Sequence, residues 1–225
     1  MKILALDTSQ IHSALSLLED GKLVTFQVGG THVAHSEGLL SLIDDLLKNA
    51  KVDLSELDAF AVGIGPGSFT GLRIGCATIK SLAQVLNKPI IAFSSLRALR
   101  LSVAAVTDDV VAMANAYQGQ VFVGWDQREE VMSAEEWCRS QVPSRDSKRI
   151  ISFCGNGAKT FWSQIKECRS GHLIEWAGPE FITPQGIALA VVEEKRQLTY
   201  IQLQANYLRP SQAEMKLSFT TQRIV

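Results

Sequence analysis

The segment Gly65-Pro66-Gly67-Ser68-Phe69-Thr70-Gly71-Leu72-Arg73-Ile74-Gly75 constrains this chain more than any other. It follows the apolar run Ala59-Phe60-Ala61-Val62-Gly63-Ile64, which reads as a buried strand. Apolar residues at Leu72, Cys76, Ile79, Ala83 and Leu86 then recur at helical spacing. The local order is strand, glycine-rich turn, helix. Such a turn can hold an anion, because backbone N–H groups and the positive end of the helix point into it. It can also let another backbone approach closely, because Gly71 and Gly75 lie one turn apart on one helix face. Each glycine inside a helix costs about 1 kcal/mol relative to alanine. Close contact must compensate, with an element of this fold or with a partner.

Two features oppose nucleotide binding at this turn. A P-loop places Lys and Ser or Thr after its last glycine, whereas Gly71 is followed by Leu72-Arg73. A dinucleotide fingerprint spaces Gly-x-Gly-x-x-Gly and has an acidic residue about 20 positions later. Here Gly65 and Gly67 fit, the third glycine is one place late, and residues 59–107 contain no Asp or Glu. The same stretch carries Arg73, Lys80, Lys88, Arg97 and Arg100. These form either a basic face for phosphates or an acidic partner, or solvated helix faces with counter-charges elsewhere.

Strands are predicted at 2–6, 13–18 and 22–28, with Asp20-Gly21 as a hairpin turn. A helix is predicted from Ser36, its N-cap, with Leu39, Leu40, Ile43, Leu46 and Leu47 as its apolar stripe. Strand 59–64, helix 68–86 capped by Ser68, strand 90–93 and a helix from Ser95 follow. The second half repeats the order. Strands at 110–114, 121–125 and 130–132 precede a helix at 134–139 and a strand at 150–154 ending in Gly155-Asn156-Gly157. A helix at 160–167, a strand at 172–176 and a helix opened by Thr183-Pro184 complete it. This predicts an α/β fold of two lobes, each with a mixed sheet and flanking helices, and a cleft between them. The lobes are 1–107 and 108–225, with the final segment free to pack back on the first.

The formal net charge of -1 gives no global attraction to nucleic acid or membrane. No apolar run approaches the ~20 residues of a membrane helix, and Asp7 comes too early for a signal peptide. Cys76, Cys138, Cys154 and Cys168 form no C-x-x-C, so they read as reduced cytosolic thiols. Asp7-Thr8-Ser9 ends the first strand, where a carboxylate could hold a magnesium-bound water or the residues could simply cap a turn. His32, His35 and Glu37 have the spacing H-x-x-H-x-E, which matches no strong ligand pattern. A surface or capping role fits better, and no metal site is expected. His12 and His172 stand alone in sequence. Ser68 is not in a G-x-S-x-G elbow, and no catalytic residue is assigned.

The run 65–75, read together with Asp7-Thr8-Ser9, His35-Ser36-Glu37 and Asn206-Tyr207-Leu208-Arg209, resembles the TsaB (YeaZ) family. The resemblance implies a duplicated actin-like ATPase (ASKHA) fold. It also implies a cytoplasmic, non-catalytic platform for threonylcarbamoylation of an adenosine in ANN-decoding tRNAs. The implied partners are a TsaD-type transferase, a paralogue bound through the first lobe, and a TsaE-type ATPase. Alone, such proteins form homodimers through a similar surface; tRNA is met indirectly. The expected interface comprises Ser36, Leu39, Leu40, Ile43, Gly67, Ser68, Phe69, Gly71, Leu72, Arg73 and Gly75, with helices 36–49 and 68–86 presenting it. Asn115-Ala116-Tyr117 stands where the family has Asp-Ala-Arg, and Ala205 where it has proline. Loss of that acid weakens a magnesium-nucleotide site. Asp7, Thr8, Ser9, Gly155 and Gly157 are then a vestigial nucleotide site, and ATP with magnesium is expected only in the complex. The competing readings are an ASKHA ATPase or kinase and a metallopeptidase. The first needs phosphate turns with acids in both lobes; the second needs a complete metal triad.

Overall fold

The computed structural model describes residues 1–30, 32–103, 109–140, 150–168 and 173–209, with residues 32–37 described by their backbone alone. Two mixed sheets are built on one plan. The first contains β1 (Lys2–Asp7), β2 (Ala14–Glu19), β3 (Lys22–Val28), β4 (Ala59–Gly63), β5 (Ile90–Phe93) and β11 (Gln197–Leu198), in the order β11-β5-β4-β1-β2-β3. β1 pairs antiparallel with β2 and parallel with β4, and β4 pairs parallel with β5. The second contains β6 (Val110–Tyr117), β7 (Gln120–Trp125), β8 (Arg128–Ser133), β9 (Ile151–Cys154) and β10 (Ile174–Trp176), in the order β10-β9-β6-β7-β8. Here too the leading strand is antiparallel to its hairpin partner and parallel to the strand after the first helix. The repeat read from the order of elements is thus a repeat of strand pairing.

Helices make three further layers. α1 (His32–Ala50) and α2 (Phe69–Leu86) cover the outer face of the first sheet. α4 (Ala134–Arg139), α5 (Asn156–Thr160) and α6 (Trp162–Cys168) cover the outer face of the second. α3 (Ser95–Leu101) and α7 (Pro184–Glu193) lie between the sheets. Side-chain alternation along a strand sorts these layers. Leu4 and Leu6 of β1 join Leu39, Ile43 and Ile79 in the outer core, whereas Ile3 and Ala5 join Leu99, Ala112 and Ile187 in the central one. Ala14, Ala59, Ala61, Ala98, Ala114 and Ala190 also belong to the central core. Small side chains there let two helices fit between two sheets. Gly186 of α7 sits so close to α3 that a Cβ on it would lie 2.3 Å from the Ala98 carbonyl oxygen.

The late elements return to the first sheet. β11 pairs with β5, and α7 packs on β1, β2 and β3. The expected lobe boundary, 106–109, falls largely outside the described residues. Two predicted features are corrected. α1 begins at His32, so Ser36 lies inside the helix rather than at its cap. The helix expected at 160–167 is found as α6 from Trp162, and a separate helix, α5, precedes it and ends at Thr160 with Phe161 as its cap. The cysteines also differ from expectation. Cys138 and Cys168 form a disulfide between α4 and α6, while Cys76 and Cys154 are free and buried. Sequence spacing cannot show this, because only the packing of α4 on α6 brings the two sulfurs together.

Glycine serves opposite ends in two helices, which a pair of variants separates. Gly186→Ala drives a methyl into the α3 backbone and should cost about 1–3 kcal/mol. A Cβ on Gly38 of α1 would meet nothing within 4 Å, so Gly38→Ala should gain about 0.4–1 kcal/mol. Urea unfolding midpoints of the two variants and the parent check both signs.

Candidate functional site

β1 ends at Asp7, and the chain turns through Thr8, Ser9 and Gln10 before β2. The strand itself dictates the burial of this turn, because β1 is central in the sheet and α2 starts directly above its end. Ser68 caps α2 by accepting from Gly71 N–H at 3.2 Å, and its own N–H donates to the Ser9 carbonyl at 2.7 Å. Thr8 Oγ1 donates to the Gly71 carbonyl at 2.7 Å. Gly63 at the end of β4 and three glycines of the run face this turn in order, while Gly65 faces Asn206 and Leu72. A Cβ would lie 1.8 Å from Asp7 Oδ2 at Gly63 and 2.5 Å from the Ser9 carbonyl oxygen at Gly67. It would lie 1.9 Å from the Thr8 carbonyl oxygen at Gly71 and 2.3 Å from Thr8 Oγ1 at Gly75. The close-packing explanation of the run holds, and the element that approaches is the chain's own β1 turn.

The polar groups of the turn are occupied internally. Asp7 Oδ1 accepts from Ser9 N–H at 2.8 Å and Ser9 Oγ at 2.6 Å, and Asp7 Oδ2 accepts from Ser95 Oγ at 2.6 Å. Gln10 Oε1 accepts from Ile182 N–H at 2.8 Å. Asp7, Thr8 and Ser9 are 1%, 0% and 3% exposed. Burial pushes the Asp7 carboxyl above its ordinary range, against the opposing pull of its three hydrogen bonds.

The second lobe repeats the device at the end of β6. Gly155, at φ +95°, leaves room for the Met113 carbonyl oxygen, which a Cβ would approach to 2.2 Å. Gly157 lies against Ala114 and Asn115, and Asn115 N–H donates to Asn156 Oδ1 at 2.9 Å. Asn115 Oδ1 in turn accepts from Tyr117 N–H at 2.8 Å. Asp7, Thr8 and Ser9 belong to the first of these devices, and Gly155 and Gly157 to the second. They form two separate clamps, each closing a strand end against the helix that follows the parallel neighbour.

The predicted interface residues divide. Gly71 and Gly75 face Thr8, half-buried Gly67 faces Ser9, and Leu39, Ile43 and Leu72 are buried in this chain's own core. The side chain of Ser36 lies outside the described residues. Leu40 is 62% exposed, Arg73 is exposed, and Ser68 and Phe69 are half-buried. The Arg73 guanidinium lies 3.9 Å from the centroid of the Phe69 ring, whose other neighbour is the Tyr207 ring at 4.6 Å. The basic stretch does not form one face. Arg73 points outward from α2, but Arg97 is paired with Glu193 at 2.8 and 2.9 Å, and Arg100 is buried with Nη1 on the Asp126 carbonyl at 2.6 Å.

Sequence reasoning also missed what Asn206-Tyr207-Leu208-Arg209 does. Asn206 N–H donates to the Ile64 carbonyl at 2.7 Å, and Arg209 donates to the Ala116 carbonyl and Gln118 Oε1. The segment straps the glycine turn of one lobe to the β6–β7 hairpin of the other. His12 packs edge-on against Phe181 at 5.0 Å. Side chains of His32, His35, Glu37 and His172 lie outside the described residues; among the described ones no three His, Cys, Asp or Glu cluster as a metal site.

Residues 28–175, more than half of the chain, match the family described as TsaD: tRNA N6-adenosine threonylcarbamoyltransferase. Among curated proteins, tRNA threonylcarbamoyladenosine biosynthesis protein TsaB of Haemophilus influenzae is 33% identical over 141 residues, covering 59% of this chain and 57% of that protein. The Escherichia coli protein of the same name is 32% identical over 133 residues, covering 58% and 57%. YeaZ from Pseudomonas aeruginosa superimposes with a TM-score of 0.73 at 27% identity, covering 92% of this chain and 99% of that one. The chain belongs to this family, on its TsaB/YeaZ side. Its matches span a little over half the length of those curated relatives. The two clamped sheets with an inner helix layer are the duplicated ASKHA architecture in its TsaB/YeaZ form.

Two measurements test the clamp of this TsaB/YeaZ chain. Gly75→Ala should cost about 1–3 kcal/mol, and much of that should disappear in a Thr8→Ala background, which removes the clashing Oγ1. Gly71→Ala meets backbone and should gain nothing from Thr8→Ala. A double-mutant cycle in urea reads the coupling. For Asp7, the folded carboxyl holds its proton to higher pH than the unfolded one, so the native state binds more protons in that window. Relative to Asp7→Asn, the parent should therefore lose stability as pH rises from about 3.8 to the raised folded value, then level off.

Proposed function

We propose that this chain is a non-catalytic scaffold subunit in the threonylcarbamoylation of tRNA adenosine. It binds a TsaD-type transferase through the outer face of α1 and α2, and a TsaE-type ATPase joins that pair. The names of its relatives support the pathway. One observation carries the scaffold role: the strand ends Asp7-Thr8-Ser9 and Ala114-Asn115 are closed by the chain's own helices and hydrogen bonds. A carboxylate with both oxygens already engaged has little to offer a magnesium ion, so the chain contributes no nucleotide chemistry of its own. ATP and magnesium enter with the partners, in the cytoplasm.

What is left free on α1 and α2 supports the docking face. Leu40, Thr70, Arg73, Ala77 and Val85 are exposed along it, and the Arg73–Phe69–Tyr207 stack closes one end. Residues 59–107 have no acid, which suits an acidic partner surface opposite Arg73. An exposed leucine contributes up to about 1.5–3 kcal/mol when fully buried in an interface. The same face serves the homodimer, which the transferase displaces.

Leu40→Asp and Arg73→Glu are the tests, by calorimetric titration with a TsaD-type transferase and by sizing alone. Each should weaken pairing at least about tenfold, a loss near 1.4 kcal/mol, and shift the free protein toward monomer, with melting unchanged. Unchanged affinity in both variants would place the partner elsewhere.

A further inference from the structure

The disulfide between α4 and α6 stands apart from both clamps and from the α1–α2 face. Cys138 and Cys168 have Cα atoms 5.6 Å apart and close a loop with a sequence separation of 30. We infer that this pair is a reversible thiol–disulfide site that sets the stability of the outer helical layer of the second lobe.

Access favours reversibility. Cys168 is exposed and Cys138 half-buried, so a thiolate in solution can reach a sulfur of the bond. The other two cysteines are poor competitors. Burial pushes the Cys76 thiol up to about 11 and the Cys154 thiol up to about 12, leaving little thiolate at neutral pH.

The position gives the bond leverage. α4 has 6 residues and α6 has 7, and helices this short do not persist without tertiary support. Their support is one small cluster. Trp137 of α4 and Ile165 of α6 are fully buried, and Trp137 meets Phe153 of β9 edge-on at 5.3 Å. Trp162, at the start of α6, meets the same Phe153 ring at 5.7 Å. The bond joins the residue after Trp137 to the last residue of α6, so it holds both lids on one aromatic seat.

The exchange balances with a small-molecule disulfide as oxidant. The Cys168 thiolate attacks one of its sulfurs and expels the other as a thiolate, giving a mixed disulfide. The Cys138 thiolate then attacks the Cys168 sulfur and expels the second small thiolate. The protein sulfurs lose two electrons and two protons, and the small disulfide is reduced to two thiols. Excess thiol runs the same steps backward.

The test uses the folded full chain equilibrated with oxidised or reduced glutathione, trapped by alkylation and read by peptide mass. The expected result is a Cys138–Cys168 bond under oxidised glutathione and both residues alkylated under reduced, with Cys76 and Cys154 unmodified in each native sample. Reduction should lower the melting temperature by on the order of 5–10 °C and quicken tryptophan quenching. Cys168→Ser, at an exposed position, should fold and melt at the reduced value under both conditions. Three results would overturn the inference: both cysteines alkylated under excess oxidised glutathione, a bond that survives excess reduced glutathione, or equal melting of bonded and reduced protein.

Discussion

Four glycines facing one buried turn hold the first lobe together. Gly63, Gly67, Gly71 and Gly75 leave no volume between α2 and the end of β1, and Asp7, Thr8 and Ser9 fill what a side chain would have taken. The contacts are made at backbone distance, so they fix the height and angle of α2 on the sheet. That in turn fixes which face of α2 looks outward. Arg73, Ala77 and Val85 are presented because Gly71, Leu72, Gly75 and Cys76 are not. The clamp thus determines which residues α2 presents to solvent without itself being exposed. The second lobe obeys the same rule on a smaller scale, where Gly155 and Gly157 seat α5 on the end of β6.

Between the lobes the governing constraint is thickness. Two helices fit between two sheets only if the facing side chains are small, and alanines recur on both sheets and both helices of the central core. Gly186 takes this to its limit at the crossing of α3 and α7. The two sheets consequently share one core rather than two adjoining ones. Polar straps then add direction. Arg97 binds Glu193 across the two inner helices, and Asn206 and Arg209 link the glycine turn to the far hairpin.

Much of this was legible from residues alone. Period-two and period-3.6 patterning exposed nearly every element and the order of the repeat, and Ser68, Asp20-Gly21 and Thr183-Pro184 marked their caps and turn correctly. Where sequence reasoning failed, the missing information was three-dimensional. Gly71 and Gly75 announce a close approach but not its direction, since the approaching Thr8 is 63 or more positions away. Leu39 and Leu40 are alike in sequence, yet one is core and the other surface, because neighbouring residues of an α-helix point about 100° apart. Arg73 and Arg97 belong to one acid-free stretch but to different layers. Cys138 and Cys168 are joined only by how two short helices lie on Phe153.

The return of α7 and β11 to the first sheet has a consequence in time. A chain emerges from the ribosome in sequence order. Residues 2–93 bring five of the six strands of the first sheet, yet its inner face and its β5 edge are completed only by residues 184–198. Until then Ile3, Ala14, Leu18 and Phe93 lack the helix that covers them. The first lobe is the first made and the last finished, so the nascent protein carries an uncovered apolar sheet face until α7 is made.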